Sequence, residues 1–220
     1  MKLSYLLFVI ATAALLLCGC KSKDKPAPEQ NKPALSASVQ TESPEKPAPS
    51  PTKKAKAATV AFFDAALSGD IQTVESELAD GVDVNATSLN GQSQTALILA
   101  AYNGHTKLVE MLIDRGGNVN HHDSFNRTAL MYCCSGPFPQ TAQLLLDKGA
   151  EVNSVDNNEK WTALMFAAAE GHLENVKLLL EHGADYKLKD IDGDTAASFA
   201  AKNGHSQVAK IIEEHARSNP

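Results

Sequence analysis

Aromatic residues are scarce in this chain, 5% of its 220 residues, with a single tryptophan at Trp161. Cysteine is rarer still: four residues, of which Cys18 and Cys20 fall within the first twenty positions. A disulfide framework is therefore excluded as the source of stability, and any folded part must be held by aliphatic packing. No apolar run reaches the roughly 20 residues that a membrane-crossing helix needs. The HExxH pair of a metalloprotease, the GxSxG turn of a serine hydrolase and a phosphate-cradling glycine loop are also missing. Each of those chemistries needs its ligand or nucleophile at fixed spacing, so the chain is not expected to be an enzyme.

What is present is unevenly distributed. Seven of the ten prolines lie between positions 21 and 56. From Lys21 to Ala58 there are eight Lys against four Asp or Glu; from Thr59 onward there are 11 Lys or Arg against 22 Asp or Glu. The overall charge of −6 thus combines a basic segment with an acidic, Ala- and Leu-rich one. Binding phosphates requires a basic surface, so nucleic acid is not an expected partner of the acidic part. The acidity also serves solubility.

At the start, Lys2 precedes an apolar run from Leu3 to Leu17, which reads as the core of a signal peptide. The run ends in Leu17-Cys18-Gly19-Cys20 and then Lys21-Ser22-Lys23-Asp24. This resembles a bacterial lipoprotein signal, with Leu17 three positions before the modified cysteine and the small Gly19 directly before it. The resemblance implies cleavage after Gly19, diacylation of the Cys20 thiol and acylation of the new amino end, a covalent lipid being the only cofactor. Two or three acyl chains suffice for stable anchoring. It further implies a lipid-anchored place in the cell envelope: the outer membrane facing the periplasm in a Gram-negative cell, otherwise the outer face of the plasma membrane. An uncleaved membrane anchor is the alternative.

Residues 20–58 carry the lipid cysteine and a Pro/Lys/Ala-rich tether with almost no aliphatic side chains. Such a composition cannot offset its ordering entropy, and the expectation is a disordered spacer spanning about 35 Å.

Self-similarity dominates the remainder, 59–220. Gln94-Thr95-Ala96-Leu97, Arg127-Thr128-Ala129-Leu130, Trp161-Thr162-Ala163-Leu164 and Asp194-Thr195-Ala196-Ala197 align, with their Thr residues 33, 34 and 33 positions apart. Gly104-His105, Gly171-His172 and Gly204-His205 follow at a constant offset, and Val119-Asn120 and Val152-Asn153 come further on. The pattern resembles the ankyrin repeat. The resemblance implies an all-α repeat solenoid of about five helix-turn-helix units with β-hairpin loops: a capping repeat at 59–86, then 87–120, 121–153, 154–187 and 188–220. The first unit is expected to lack the threonine turn.

Physical roles follow for the repeated positions. Each Thr can accept a bond from an unpaired N–H at a helix start. Ala100-Ala101 and Ala167-Ala168 are small enough to let inner helices approach, and Gly104 and Gly171 end helices in a left-handed conformation. The sequence also departs from the family pattern. Ala96, Ala129, Ala163 and Ala196 stand where proline is usual, and Ile98, Met131, Met165 and Ser198 where histidine is usual. Apolar packing is expected to substitute for that histidine. In the third repeat Pro137-Phe138-Pro139 replaces Gly-His, predicting an irregular loop.

Cys133 and Cys134 read as buried, reduced thiols, since neighbours on a helix bridge only with strain; a redox or metal role is the alternative. His121-His122-Asp123 lacks further ligands at recognisable spacing, so no metal is expected and the two histidines are placed in an exposed hairpin tip.

In ankyrin-like stacks the hairpin tips and inner helices form a concave binding face. By position, Tyr102, Asn103, Phe125, Arg127, Trp161 and Glu170 are the expected partner-binding residues, the aromatics and Arg127 facing solvent as interface anchors. The expected function is a membrane-anchored adaptor or inhibitor that holds an exported or envelope protein of unknown identity. A structural part in an envelope assembly is the second reading, and a thiol-dependent redox or protective protein the third.

Overall fold

The structure, a computed structural model, describes residues 57–219. The expectations for the signal peptide at 1–19, for Cys20 and for the tether as far as 56 lie outside the described residues. Within them the chain forms ten helices in five pairs: α1 Val60–Ser68 with α2 Ile71–Ala79, α3 Ala96–Tyr102 with α4 Thr106–Asp114, α5 Ala129–Cys134 with α6 Pro139–Asp147, α7 Ala163–Glu170 with α8 Leu173–Glu181, and α9 Ala196–Lys202 with α10 Ser206–Ser218. This is the all-α repeat solenoid that the resemblance implied. None of these helices is long and apolar enough to cross a membrane.

Each pair begins in the same way. Thr95, Thr128, Thr162 and Thr195 hold extended backbone, and their hydroxyls accept from the N–H three residues on, at 3.2–3.4 Å. Thr59 does the same for Phe62 N–H at 3.2 Å, so the first unit has the threonine turn that its sequence spacing concealed.

First helices pack on first helices in one row, and from α4 onward second helices pack on second helices in another. The first row is almost wholly apolar: Ala96 to Ala101 and Ala163 to Ala169 are buried throughout. Ile98, Met131 and Met165, the residues at the histidine positions, lie in this core. Ser198 instead completes a reciprocal cap with Thr195, donating and accepting at the start of α9.

The third repeat is regular, which corrects the expectation of an irregular loop. Pro139 occupies the first position of α6, where a missing N–H costs nothing and a fixed φ suits the helix. Phe138 takes the place held by His105, His172 and His205 directly before α4, α8 and α10. The rings of His105, Phe138 and His205 cover the glycine of the preceding unit. A Cβ on Gly104 would lie 2.2 Å from Phe138 Cδ1, and one on Gly69 would lie 2.6 Å from His105 Nδ1. His105 and His172 also donate through Nε2 to the Leu67 and Ser135 carbonyls of the unit before, at 3.0 and 3.2 Å.

A second series of ties follows the Val-Asn positions. Asn85 donates to Gly116 O at 3.1 Å and accepts from Asn118 N–H at 2.8 Å. Asn120 donates to Gly149 O at 3.0 Å and accepts from Glu151 N–H at 2.9 Å. Asn153 repeats this with Gly183 O at 3.2 Å and Asp185 N–H at 2.8 Å. Tyr186 and Lys187 stand at the next such place, and there Tyr186 O–H donates to Asn219 O at 2.6 Å, at the end of α10.

The excursions between pairs turn back as hairpins, yet among the described residues no strand forms. An isolated antiparallel bridge joins Thr87 to Thr95. A carboxylate replaces the ladder in later hairpins. Asp123 accepts from Phe125 and Arg127 N–H at 2.8 and 2.9 Å, Asp156 from Glu159 and Trp161 at 3.0 and 3.1 Å, and Asp190 from Asp192 and Asp194 at 3.0 and 2.8 Å. The extra residue behind the 34-residue spacing is here: Asp156 N–H reaches Trp161 O, where Asp123 N–H needs only reach Arg127 O.

Candidate functional site

The hairpins do not stand apart from one another. Ser124 N–H donates to Gln92 O at 2.9 Å, Asn157 N–H to Phe125 O at 3.0 Å and Ile191 N–H to Glu159 O at 3.1 Å. With each hairpin numbered by the unit it opens, backbone bonds run from the second hairpin to the fifth and fix the tips in one row. Leu89 and Ile191 are 82% and 56% exposed on that row, two large apolar side chains left in water.

The residue directly before the repeat Thr, at Arg127 and Trp161, was expected to face solvent. Instead, in three units it turns inward and reaches the next unit. Gln94 is buried and donates to Tyr132 O–H at 3.2 Å. Arg127 is buried, and both Nε and Nη2 donate to Asp156 Oδ2 at 3.3 Å. Trp161 is half-buried, its ring 4.5 Å from Phe199 and 5.0 Å from Phe166. In the last unit Asp194 pairs with Lys202 of its own α9. The expectation that Arg127 and Trp161 face solvent is corrected: the apolar and charged neighbours of the next repeat hold both.

Arg127 lies at the centre of the arrangement. Its guanidinium carbon is 5.6 Å from the Phe125 ring, 6.0 Å from Tyr132 and 5.5 Å from Phe166. Tyr132 in turn donates to Asp123 Oδ2 at 2.8 Å and meets Tyr102 edge-on at 5.9 Å. Burial and the Asp123 carboxylate push the Tyr132 hydroxyl well above its ordinary range, so it serves as a fixed donor at neutral pH.

Among the expected partner-binding residues, Asn103 and Glu170 are exposed, Tyr102, Phe125 and Trp161 half-buried, and Arg127 buried. The structure brings Phe125 and Arg127 together and links them through Tyr132 to Tyr102. Asn103 is committed elsewhere, donating to Leu67 O at 2.7 Å. Sequence reasoning missed Tyr132, Phe166, Phe199 and the buried carboxylates. A signal for the last did exist, an Asp five or six positions before three of the four aligned Thr residues.

The remaining chemistry-bearing side chains are absorbed by the fold. His121, half-buried rather than exposed, faces Ser93 O at 2.9 Å through Nε2. The Asp123 beside the two histidines is occupied by Phe125, Arg127 and Tyr132, and among the described residues no three His, Cys, Asp or Glu converge as metal ligands. Cys133 and Cys134 are free and buried. Burial raises the Cys133 thiol to about 12, and burial together with its neighbour raises Cys134. Both stay protonated, hence poor nucleophiles, across the physiological range.

Comparison with known proteins agrees with this architecture. The family model described as ankyrin repeats (3 copies) matches residues 62–156 and 139–219. The chain is 32% identical over 131 residues to ankyrin repeat and KH domain-containing protein mask-1 of Caenorhabditis elegans, covering 60% of this chain and 5% of that protein. It is 35% identical over 134 residues to ankyrin repeat and SAM domain-containing protein 6 of Mus musculus, covering 61% and 11%. With tyrosine-protein kinase HTK16 of Hydra vulgaris it shares 32% over 127 residues, covering 56% and 16%. The chain therefore spans a small part of the length of these curated relatives.

Proposed function

Since the chain belongs to the ankyrin-repeat family, we propose that its folded part is a protein-binding module that holds a partner against the hairpin tips and first helices. The observation that carries this reading is the row of tips locked together by backbone bonds, with Leu89 and Ile191 exposed along it and Phe125 half-exposed between them. A surface ordered before binding loses little entropy on contact, and exposed apolar side chains supply the area to be covered. Tyr102 and Glu170, the last residues of α3 and α7, and Asn103 just past α3 extend the contact along the first helices. Trp161 adds its open edge. Arg127 supports the site from beneath, by holding Phe125 and the fourth hairpin, and does not touch the partner itself.

The module sits on a membrane-anchored lipoprotein, modified at Cys20 in Leu17-Cys18-Gly19-Cys20 and carried on the basic, proline-rich segment. The partner is then an exported or envelope protein, and the role is that of an adaptor or inhibitor with no catalysis of its own. The test is affinity capture from detergent-solubilised envelopes with the full lipidated chain, against the variant Leu89→Ala, Phe125→Ala, Ile191→Ala. One stoichiometric partner captured by the parent and lost by the variant, at unchanged helical circular dichroism, is the expected result. Equal capture by both rejects the face. Labelled palmitate incorporated by the parent and not by Cys20→Ser tests the anchor separately.

A further inference from the structure

Three Asn-Gly pairs occur in the folded part, Asn90-Gly91, Asn103-Gly104 and Asn203-Gly204, each with an exposed asparagine. This dipeptide is prone to an intrinsic reaction because glycine leaves its backbone nitrogen unshielded. The three places differ sharply in what holds the reacting atoms. At two of them both atoms are tied. Asn103 donates its side-chain amide to Leu67 O and Asn203 to Ala169 O, each at 2.7 Å. The nitrogens that would attack, of Gly104 and Gly204, donate to Ala101 O and Ala201 O at 3.1 and 3.2 Å.

At the tip of the second hairpin neither atom is tied. The Asn90 amide nitrogen and the Gly91 N–H have no partner among the described residues, and a Cβ on Gly91 would meet nothing within 4 Å. The Asn90 carbonyl oxygen, by contrast, accepts two bonds, from Ser88 O–H at 2.8 Å and from Gln92 N–H at 3.0 Å. Two donors on one carbonyl oxygen withdraw electrons from its carbon and stabilise the oxyanion that forms when a nucleophile adds. The hairpin thus presents an activated carbonyl beside an unencumbered nucleophile.

We infer that Asn90 is a self-modifying site, at which the second hairpin converts to aspartate and isoaspartate with Ser88 as the promoting group. The Gly91 nitrogen gives its proton to hydroxide and attacks Asn90 Cγ. The Cγ–N bond of the side-chain amide then breaks, and ammonia leaves with a proton from water. Hydrolysis opens the resulting cyclic imide at either carbonyl, one water being consumed, to leave aspartate or the isomer with its main chain routed through Cβ. Either product places a negative charge beside Leu89. The isomer also adds a methylene to a loop closed by Ser88 N–H to Gln94 O at 2.8 Å and tied onward through Gln92 O to Ser124. The exposed tip of the candidate face therefore ages faster than the Asn-Gly pairs at Asn103 and Asn203.

The full chain is held at about pH 8.5 and 37 °C, and each Asn-Gly peptide is followed by mass spectrometry and isoaspartyl methyl-transfer. Asn90 is expected to convert on the order of tenfold faster than Asn103 and Asn203, and the three rates should merge in guanidinium. Ser88→Ala should slow Asn90 by about three- to tenfold, the loss of one hydrogen bond to a developing charge, while Ser88→Thr keeps the rate. Equal native rates at the three sites would overturn the site. A Ser88→Ala rate equal to or above that of the parent would overturn the role of Ser88.

Discussion

Arg127 and Asp156 sit 29 positions apart, and their ion pair is enclosed: the side chains are 11% and 0% exposed. A charge removed from water at this depth needs its partner, because desolvation costs several kcal/mol per ion when uncompensated. Arg127→Met strips the guanidinium from Asp156 Oδ2 while keeping most of the side chain's bulk. It should destabilise the domain by about 3–5 kcal/mol in urea unfolding. Adding Asp156→Asn should recover most of that loss, because an amide oxygen still accepts from Glu159 and Trp161 N–H at lower desolvation cost. A loss below about 1 kcal/mol in the single variant would mark the pair as solvent-screened. Nothing local to Arg127 announces this burial. Its place directly before Thr128 gives the direction of the hairpin, whereas the carboxylate that draws it inward belongs to the next unit. The same holds for Trp161 with Phe199. Thr95, Thr128, Thr162 and Thr195 were legible because each acts on an N–H only three residues away.

Between elements, coupling takes two forms, a ring over a glycine and an asparagine between turns. Phe138 shows the first to depend on shape rather than on hydrogen bonding. It covers Gly104 as His205 covers Gly171, although it has no nitrogen to donate. Phe138 was legible as the counterpart of that histidine, since Pro137-Phe138 stands in place of Gly-His, while the glycine it covers lies 34 residues upstream. The distance of Phe138 from Thr128, ten residues, equals that of His105 from Thr95 and gives the correspondence. The asparagines carry the second form, and Val-Asn was visible as a motif without its purpose, since its acceptor and donor lie about thirty residues downstream. Asn120→Ala removes the bond to Gly149 O and the bond from Glu151 N–H together. The expected cost is about 1–2 kcal/mol in chemical denaturation, small because both bonds are solvent-exposed. Asn120→Asp should cost less, keeping the acceptor and losing only the donor. Equal losses in the two variants would mean that only the bond to Gly149 O contributes.

At the scale of the whole stack, stability depends on neighbours. Extensive helix contacts join each pair internally and to the pairs on either side of it, so no residue of the first unit supports the fifth directly. Stability in such an array is close to a sum of unit and interface terms. Damage should therefore spread according to position. Leu130 in α5 and Ile212 in α10 are both 1% exposed, and truncation of either to alanine should cost about 2–5 kcal/mol locally. Leu130→Ala weakens two interfaces at once, because α5 packs between α3 and α7. Hydrogen exchange should then accelerate from α3 through α8. Ile212→Ala lies in the terminal pair and should accelerate exchange in α9 and α10 while leaving α3 to α6 as slow as in the parent. Uniform acceleration by Ile212→Ala would show that the five units open as one. In the expected case the backbone bonds from Gln92 to Ser124 and from Phe125 to Asn157 lie in the part of the stack farthest from fraying, which is where a surface ordered for a partner gains most from support.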